Sequence, residues 1–119
     1  MLVALVALAL AGPPPAQLTI TVWPAGRAHA SRAWTLHCSP VGGNLPRRAT
    51  ACAHLARLGA GAFAPVPPAT ACSQIYGGPQ VGVVRGLFRG RQVWATFTRR
   101  NGCEVARWKR VAFLFPVRL

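Results

Sequence analysis

Acidic side chains are almost absent from this sequence. Of its 119 residues, 14 are Lys or Arg and the single acid is Glu104, so the formal net charge is +13. Enzymes that work through a pair of carboxylates therefore lack one of the two groups they need. The positive charge bears on solubility and partners more than on fold. We expect this chain not to be an enzyme.

Metal-ligand spacings are also missing. No two cysteines are separated by two residues, and His29, His37 and His54 do not have the spacing that zinc sites use. We expect neither a metal nor a cofactor. The four cysteines, Cys38, Cys52, Cys72 and Cys103, instead form an even set in a small chain. That pattern predicts two disulfides in an exported protein, and the spacing does not choose among the three possible pairings.

The first sixteen residues contain an apolar run with no Lys or Arg before it. The run is about ten residues, whereas a membrane-spanning helix needs about 20. A buried strand or helix fragment is the alternative, but three consecutive prolines follow and no polar periodicity is present. We predict a signal peptide over residues 1–16, cleaved after Ala11 or Ala16, a mature domain over residues 17–119, and secretion.

Alternating apolar and polar residues predict strands. Residues 18–22 and 33–37 alternate in this way and flank a Pro-Ala-Gly turn, which indicates a hairpin. Residues 80–88 and 91–98 flank Arg89-Gly90 and indicate a second hairpin. The apolar run at residues 111–115 predicts a final buried strand.

Two segments favour helices. Residues 47–58 are rich in Ala, Leu and Arg, with Asn44 as a candidate N-cap, Pro46 in the first turn and Gly59 at the end. Helical spacing places four side chains on its buried face: Ala49, Cys52, Leu55 and Ala56. Residues 101–108 are predicted as a second, short helix. Strands bracketing helices indicate an α+β fold, an antiparallel sheet with helices on one face.

Several blocks together resemble a known family. WTLHCSPVGGNLPRRATACAHL, then CSQIYGG, then GLFRGRQVWATFTRRNGCEV, and finally AFLF occur in this order. The Cys spacings, the Gly-Gly before the helix, Gly86-x-x-x-Gly90 and Asn101-x-Cys103 make the match specific. The chain resembles the Streptomyces subtilisin inhibitor-like family of secreted serine-protease inhibitors over residues 17–115.

The resemblance implies a five-stranded antiparallel sheet with two helices and a homodimer built from sheet surfaces. It also implies the disulfides Cys38–Cys52 and Cys72–Cys103. Each such loop closure stabilises the fold by roughly 3–4 kcal/mol in chain-entropy terms.

The resemblance further implies a reactive bond between Gln74 and Ile75, offered to an extracellular serine protease. The loop around it contains Thr70, Ala71, Cys72, Ser73 and Tyr76, and Asn101 supports the loop by hydrogen bonding. Because Gln74 is uncharged, we expect a subtilisin-like target rather than a trypsin-like one. From sequence alone, Ile75 and Tyr76 fit the start of a buried strand equally well, and Asn101 fits an ordinary turn.

Three residues near this loop depart from the family pattern. Gly77-Gly78 follows Tyr76 where Asp-Pro is usual, which predicts a looser far side of the loop. Arg99 stands where an aromatic residue is usual.

Basic clusters provide an alternative function: a cationic secreted protein that binds nucleic acid or an anionic surface. The clusters lie at residues 47–48, 89–91, 99–100 and 107–110. They are scattered over several predicted elements, and no nucleic-acid motif accompanies them. We therefore expect no nucleic-acid partner and, once the signal is removed, no membrane association. A third interpretation combines the two functions: the positive charge steers an inhibitor toward an acidic protease.

Overall fold

The computed structural model describes residues 15–119, so nearly all of the predicted signal segment lies outside the described residues. The elements in chain order are β1 (Ala16–Trp23), β2 (Arg32–Cys38), β3 (Gly42–Gly43), α1 (Arg48–Leu58), β4 (Val81–Phe88), β5 (Arg91–Phe97) and α2 (Gly102–Arg110). Short 3-10 helices follow α1, at Gly59–Phe63, and α2, at Ala112–Leu114. None of the helices in this part of the chain is both long enough and apolar enough to span a bilayer.

The five strands form one antiparallel sheet in the order β3-β2-β1-β4-β5. Both predicted hairpins, β1–β2 and β4–β5, are confirmed. Strand β1 is central, and its Ile20 lies between Trp34 of β2 and Val84 of β4. The predicted α+β architecture is therefore correct.

One face of the sheet carries the core, as the alternation in β1 predicts. Ala16, Leu18, Ile20 and Val22 are buried, whereas Gln17 and Thr19 between them are exposed. Helix α1 joins this face through the Cys38–Cys52 disulfide. Helix α2 joins it through an aromatic cluster, in which the ring centres of Trp108 and Phe115 are 4.4 Å apart and those of Phe115 and Phe97 are 5.4 Å apart. Both helices therefore cover the same face.

The predicted final strand at residues 111–115 is wrong. This segment contains the 3-10 helix Ala112–Leu114, which buries Val111 and Leu114. Their separation of three residues places both side chains on one side of a 3-10 turn, so an apolar run alone did not distinguish it from a strand. The fifth strand is instead β3, two glycines that the sequence placed in a loop.

The predicted N-cap of α1 is also wrong, although the helix begins within one residue of its predicted start. Asn44 does not cap the helix, because its side-chain oxygen accepts a hydrogen bond from the Thr35 backbone N–H at 2.7 Å. The helix begins at Arg48 and has no side-chain cap. On its inner face Cys52 and Leu55 are buried as predicted, but Ala51 takes the place expected for Ala49, which is exposed. Ala56 is half-buried.

Candidate functional site

The segment between Thr70 and Gly78, here called the loop, has no regular secondary structure and leads to β4. Its Gln74 is exposed, and Ile75 and Tyr76 are 66% and 65% exposed. Strand β4 begins only at Val81, so Ile75 and Tyr76 do not start a buried strand. Two large apolar side chains displayed together to solvent are typical of a surface that binds a partner.

The upstream side of the loop is attached covalently. Cys72 is bonded to Cys103 in α2, with 5.3 Å between their Cα atoms. The next residue, Ser73, accepts a hydrogen bond through its carbonyl oxygen from the Gly102 N–H at 2.9 Å. Both disulfides implied by the family resemblance, this one and Cys38–Cys52, are confirmed.

Gly102 permits this close approach. A Cβ atom at position 102 would collide with the Ser73 hydroxyl. A residue without a side chain therefore lets the first turn of α2 donate directly to the loop backbone.

Asn101 acts on the first turn of α2. Its side-chain oxygen accepts from the Glu104 N–H at 3.0 Å, which makes it the N-cap of the helix. The residue that contacts the loop through its backbone is its neighbour Gly102. The structure thus places Asn101 one step away from the loop, as the residue that fixes the helix end to which the loop is attached.

The downstream side of the loop is held by Arg99. The Gly77 N–H donates to the Arg99 carbonyl oxygen at 2.7 Å, and the Arg99 Nε donates to the Gly77 carbonyl oxygen at 3.1 Å. Arg99 is only 9% exposed. Sequence reasoning missed this role, because a charged residue in an Arg-Arg pair is normally a solvated surface group. The one feature of the sequence that pointed to a contact between Arg99 and the loop was its position two residues before Asn101.

These attachments leave three residues between two fixed points. Ser73 and Gly77 are both hydrogen-bonded to the short segment 99–103, and Gln74, Ile75 and Tyr76 project between them. The arrangement presents a stretch of backbone to an incoming partner. The predicted reactive bond lies in the middle of it.

The buried cations weaken the alternative of a general anion-binding surface. Arg107 is 6% exposed and donates to the Ala64 and Thr96 carbonyl oxygens at 2.8 and 2.6 Å. Burial lowers the pKa of its guanidinium, and the nearby Glu104 acts in the opposite direction. Arg99 and Arg107 both bind backbone carbonyls of this chain. Each of the basic clusters at residues 99–100 and 107–110 therefore has one arginine fewer that could contact phosphate.

Comparison with known families matches residues 14–101, most of the chain, to the family described as "Subtilisin inhibitor-like". The chain belongs to the subtilisin inhibitor-like family. This membership identifies it as a protease inhibitor and not an enzyme. A comparison with curated proteins gave no match.

Among solved structures, the chain is similar to sermetstatin from Streptomyces caespitosus in its crystal structure with Bacillus licheniformis subtilisin. The TM-score is 0.58 with 22% sequence identity, over 87% of this chain and 99% of sermetstatin. At this identity the likeness establishes a common fold.

Proposed function

We propose that this subtilisin inhibitor-like chain blocks a subtilisin-like serine protease by offering the Gln74–Ile75 bond as a substrate that the enzyme cannot release. The observation that carries the proposal is the exposed three-residue segment between two backbone attachments to residues 99–103. Sermetstatin, which shares the fold, is bound to a subtilisin in its crystal structure.

Binding would follow substrate geometry. Residues 70–76 would lie extended in the cleft and pair with the enzyme backbone as an added strand. Gln74 would enter the primary pocket, with its carbonyl oxygen in the oxyanion hole and its carbonyl carbon facing the catalytic serine. A free peptide loses ordering entropy on binding, whereas this loop is already held at Ser73 and Gly77, which reduces that cost.

The nature of Gln74 sets the expected preference. An uncharged, flexible side chain fits a permissive subtilisin-like pocket, but it leaves the buried acid of a trypsin-like pocket without a cation. Titration of the purified protein against a subtilisin and a trypsin tests this directly. We expect inhibition of the subtilisin at or below micromolar concentration and weaker inhibition of the trypsin. No inhibition of either protease at micromolar concentration would exclude the proposal.

The position of the reactive bond has its own test. Gln74→Lys should raise affinity for trypsin, because the new ammonium group can pair with the acid of the pocket. Thr50→Lys is the matched control, since it adds the same charge at an exposed residue of α1, outside both the loop and the outer face of the sheet. An unchanged profile for Gln74→Lys, or an equal shift in the control, would place the reactive bond elsewhere.

We also propose a homodimer through the outer face of the sheet, defined by Thr19, Thr21, Arg85, Leu87 and Trp94. Trp94 is 73% exposed, an unusual exposure for a side chain of this size, and the Arg85 guanidinium lies 4.1 Å from its ring centre. Trp94→Arg should yield a monomer in sedimentation velocity. Val41→Arg, at an exposed apolar residue between β2 and β3, should leave the dimer intact.

Secretion is the remaining part of the proposal. Ala16 is buried in β1, and the Pro15 carbonyl oxygen accepts from the Arg89 N–H at 2.9 Å. Cleavage after Ala16 would remove both contacts, so cleavage after Ala11 agrees better with the fold. Mass spectrometry of the exported protein should find an N-terminus before Pro15. A mature chain beginning at Gln17 would contradict this choice.

A further inference from the structure

We propose that Arg99 is a positioning residue that retains the downstream half of the loop after the protease has cut it. The inference rests on the proposed function. We call the pair of hydrogen bonds between Gly77 and Arg99 the downstream clamp. It would determine how often the cut bond is rejoined rather than hydrolysed.

The clamp uses one residue to bind both backbone polar groups of another. The Gly77 N–H is bound by the Arg99 carbonyl oxygen and the Gly77 carbonyl oxygen by the Arg99 Nε. Hydrogen bonds from an ionised donor are stronger than neutral ones. Gly77 is therefore fixed in both directions, while Ile75 and Tyr76 before it remain exposed.

Stability alone does not account for a buried arginine here. Its Nη1 is buried and has no hydrogen-bond partner among the described residues. Burying a cation with an unsatisfied donor is costly, and an apolar side chain that packs on Trp108 would avoid that cost. An apolar residue would supply neither the bond to the loop carbonyl nor the contact of the guanidinium with the Trp108 ring, whose centre lies 5.9 Å from the Arg99 Cζ. Of these two, only the bond to the carbonyl reaches the loop.

Gly77 and Arg99 fit each other. A Cβ atom at position 77 would lie 2.6 Å from the Val105 Cγ2 and 3.1 Å from the Arg99 Cβ. Only glycine lets the loop backbone approach this closely. Two of the three residues that depart from the family pattern, Gly77 and Arg99, are thus in contact. The glycine permits the close approach, and the arginine supplies both hydrogen-bond partners.

The chemical consequence concerns the acyl-enzyme. When the protease serine attacks Gln74, the bond to Ile75 breaks, and the Ile75 nitrogen leaves as an amine with a proton from the catalytic histidine. Rejoining requires that amine to return the proton, attack the Gln74 acyl carbon and expel the serine oxygen. Hydrolysis instead delivers water to the same carbon. The outcome depends on how close the amine remains.

The clamp shortens the tether that holds this amine. With Gly77 fixed, about two residues separate the amine from ordered structure; without the clamp, the next ordered element is β4, which lengthens the tether to about six residues. Effective concentration falls with roughly the −3/2 power of tether length, so complete loss of the clamp would reduce rejoining up to about fivefold.

The test compares Arg99→Met with the wild-type protein, because Met keeps the bulk and removes the Nε donor. Each full-length protein is incubated with catalytic amounts of subtilisin, and the equilibrium ratio of loop-cleaved to intact inhibitor is measured by mass spectrometry together with Ki. We expect the ratio to rise about two- to fivefold in Arg99→Met, with a Ki that increases to a similar extent.

Arg107→Met is the matched control. Arg107 is buried to a similar extent and its guanidinium also donates to backbone carbonyl oxygens, but those belong to Ala64 and Thr96 outside the loop. It should lower Tm without changing the cleaved ratio. If Arg99→Met does not fold, Gly77→Ala reaches the clamp from the loop side, and the same rise in the cleaved ratio is expected.

The outcomes are distinguishable. A wild-type protein that fails to inhibit subtilisin overturns the proposed function. A wild-type inhibitor whose cleaved ratio is unchanged by Arg99→Met or Gly77→Ala overturns the clamp alone. An equal rise in Arg107→Met would also overturn it, since general destabilisation would then explain the effect.

Discussion

The two sides of the loop are held to the same segment by different means. Upstream, a disulfide at Cys72 and a hydrogen bond at Ser73 attach the loop to α2. Downstream, Gly77 is held by two hydrogen bonds with Arg99, one donated by the Gly77 N–H and one by the Arg99 Nε. The upstream side cannot dissociate while the disulfide is oxidised, whereas the downstream side opens at the cost of a few kcal/mol at most. The upstream attachment should therefore set whether the protein inhibits, and the downstream one how long inhibition lasts.

Loss of the upstream disulfide should have the largest effect. In the double variant Cys72→Ala/Cys103→Ala we expect cleavage of the loop as a substrate and loss of inhibition, together with about 3–4 kcal/mol of stability. The double variant Cys38→Ala/Cys52→Ala is the matched control, because that bridge joins α1 to β2, away from the loop. It should lose about 3 kcal/mol and keep inhibition below its Tm. Equal loss of inhibition in both would mean that general stability, rather than the loop attachment, is what matters.

A smaller change on the same side is Gly102→Ala. The added methyl group would force the Ser73 hydroxyl to rotate and would lie 3.3 Å from the Ser73 Cβ, so the loop must shift slightly away from α2. This shift should weaken inhibition by up to about tenfold, or about 1.4 kcal/mol. Ser73→Ala alone should be close to neutral. Combined with Gly102→Ala it should recover part of the lost affinity. Additive effects in this double-mutant cycle would contradict the contact.

The smallest effect is expected at the helix cap. Asn101→Ala removes the acceptor for the Glu104 N–H and should cost about 1 kcal/mol of stability, with a Ki that rises by a few fold. Asn44→Ala removes another Asn acceptor, the one for the Thr35 N–H, and should destabilise the protein without changing Ki. The comparison of Ki and Tm for the two variants separates loop support from stability. A larger change in Ki for Asn44→Ala would exclude the proposed role of Asn101.

Local patterns predicted the parts of the fold whose side chains alternate or recur regularly. The β1–β2 and β4–β5 hairpins and both helices were recognised, because a single buried face imposes a period on the sequence. The two wrong predictions of secondary structure concern segments that are too short to show such a period. Two glycines of β3 have no side-chain pattern at all, and the segment that follows α2 is as apolar as a strand but turns every three residues.

The residues of the candidate site also separate into those that the sequence predicted and those that it did not. The order of cysteines and the block around Gln74 were readable from the chain because they lie within contiguous motifs. Asn44 and Arg99 were misjudged because their partners, Thr35 and Gly77, are distant in sequence. A polar side chain signals its local options, such as a cap or a turn, but not a partner that folding brings to it.

By itself, the amino-acid sequence determined the family, the two-hairpin sheet with its helices, and the loop on which the reactive bond is proposed. Only the tertiary structure decided how the loop is held. Arg99 and Gly77 are 22 residues apart, and their contact exists because β4 and β5 pair and place the end of β5 beneath the loop. Such a contact depends on the whole sheet being formed, so no short stretch of sequence encodes it.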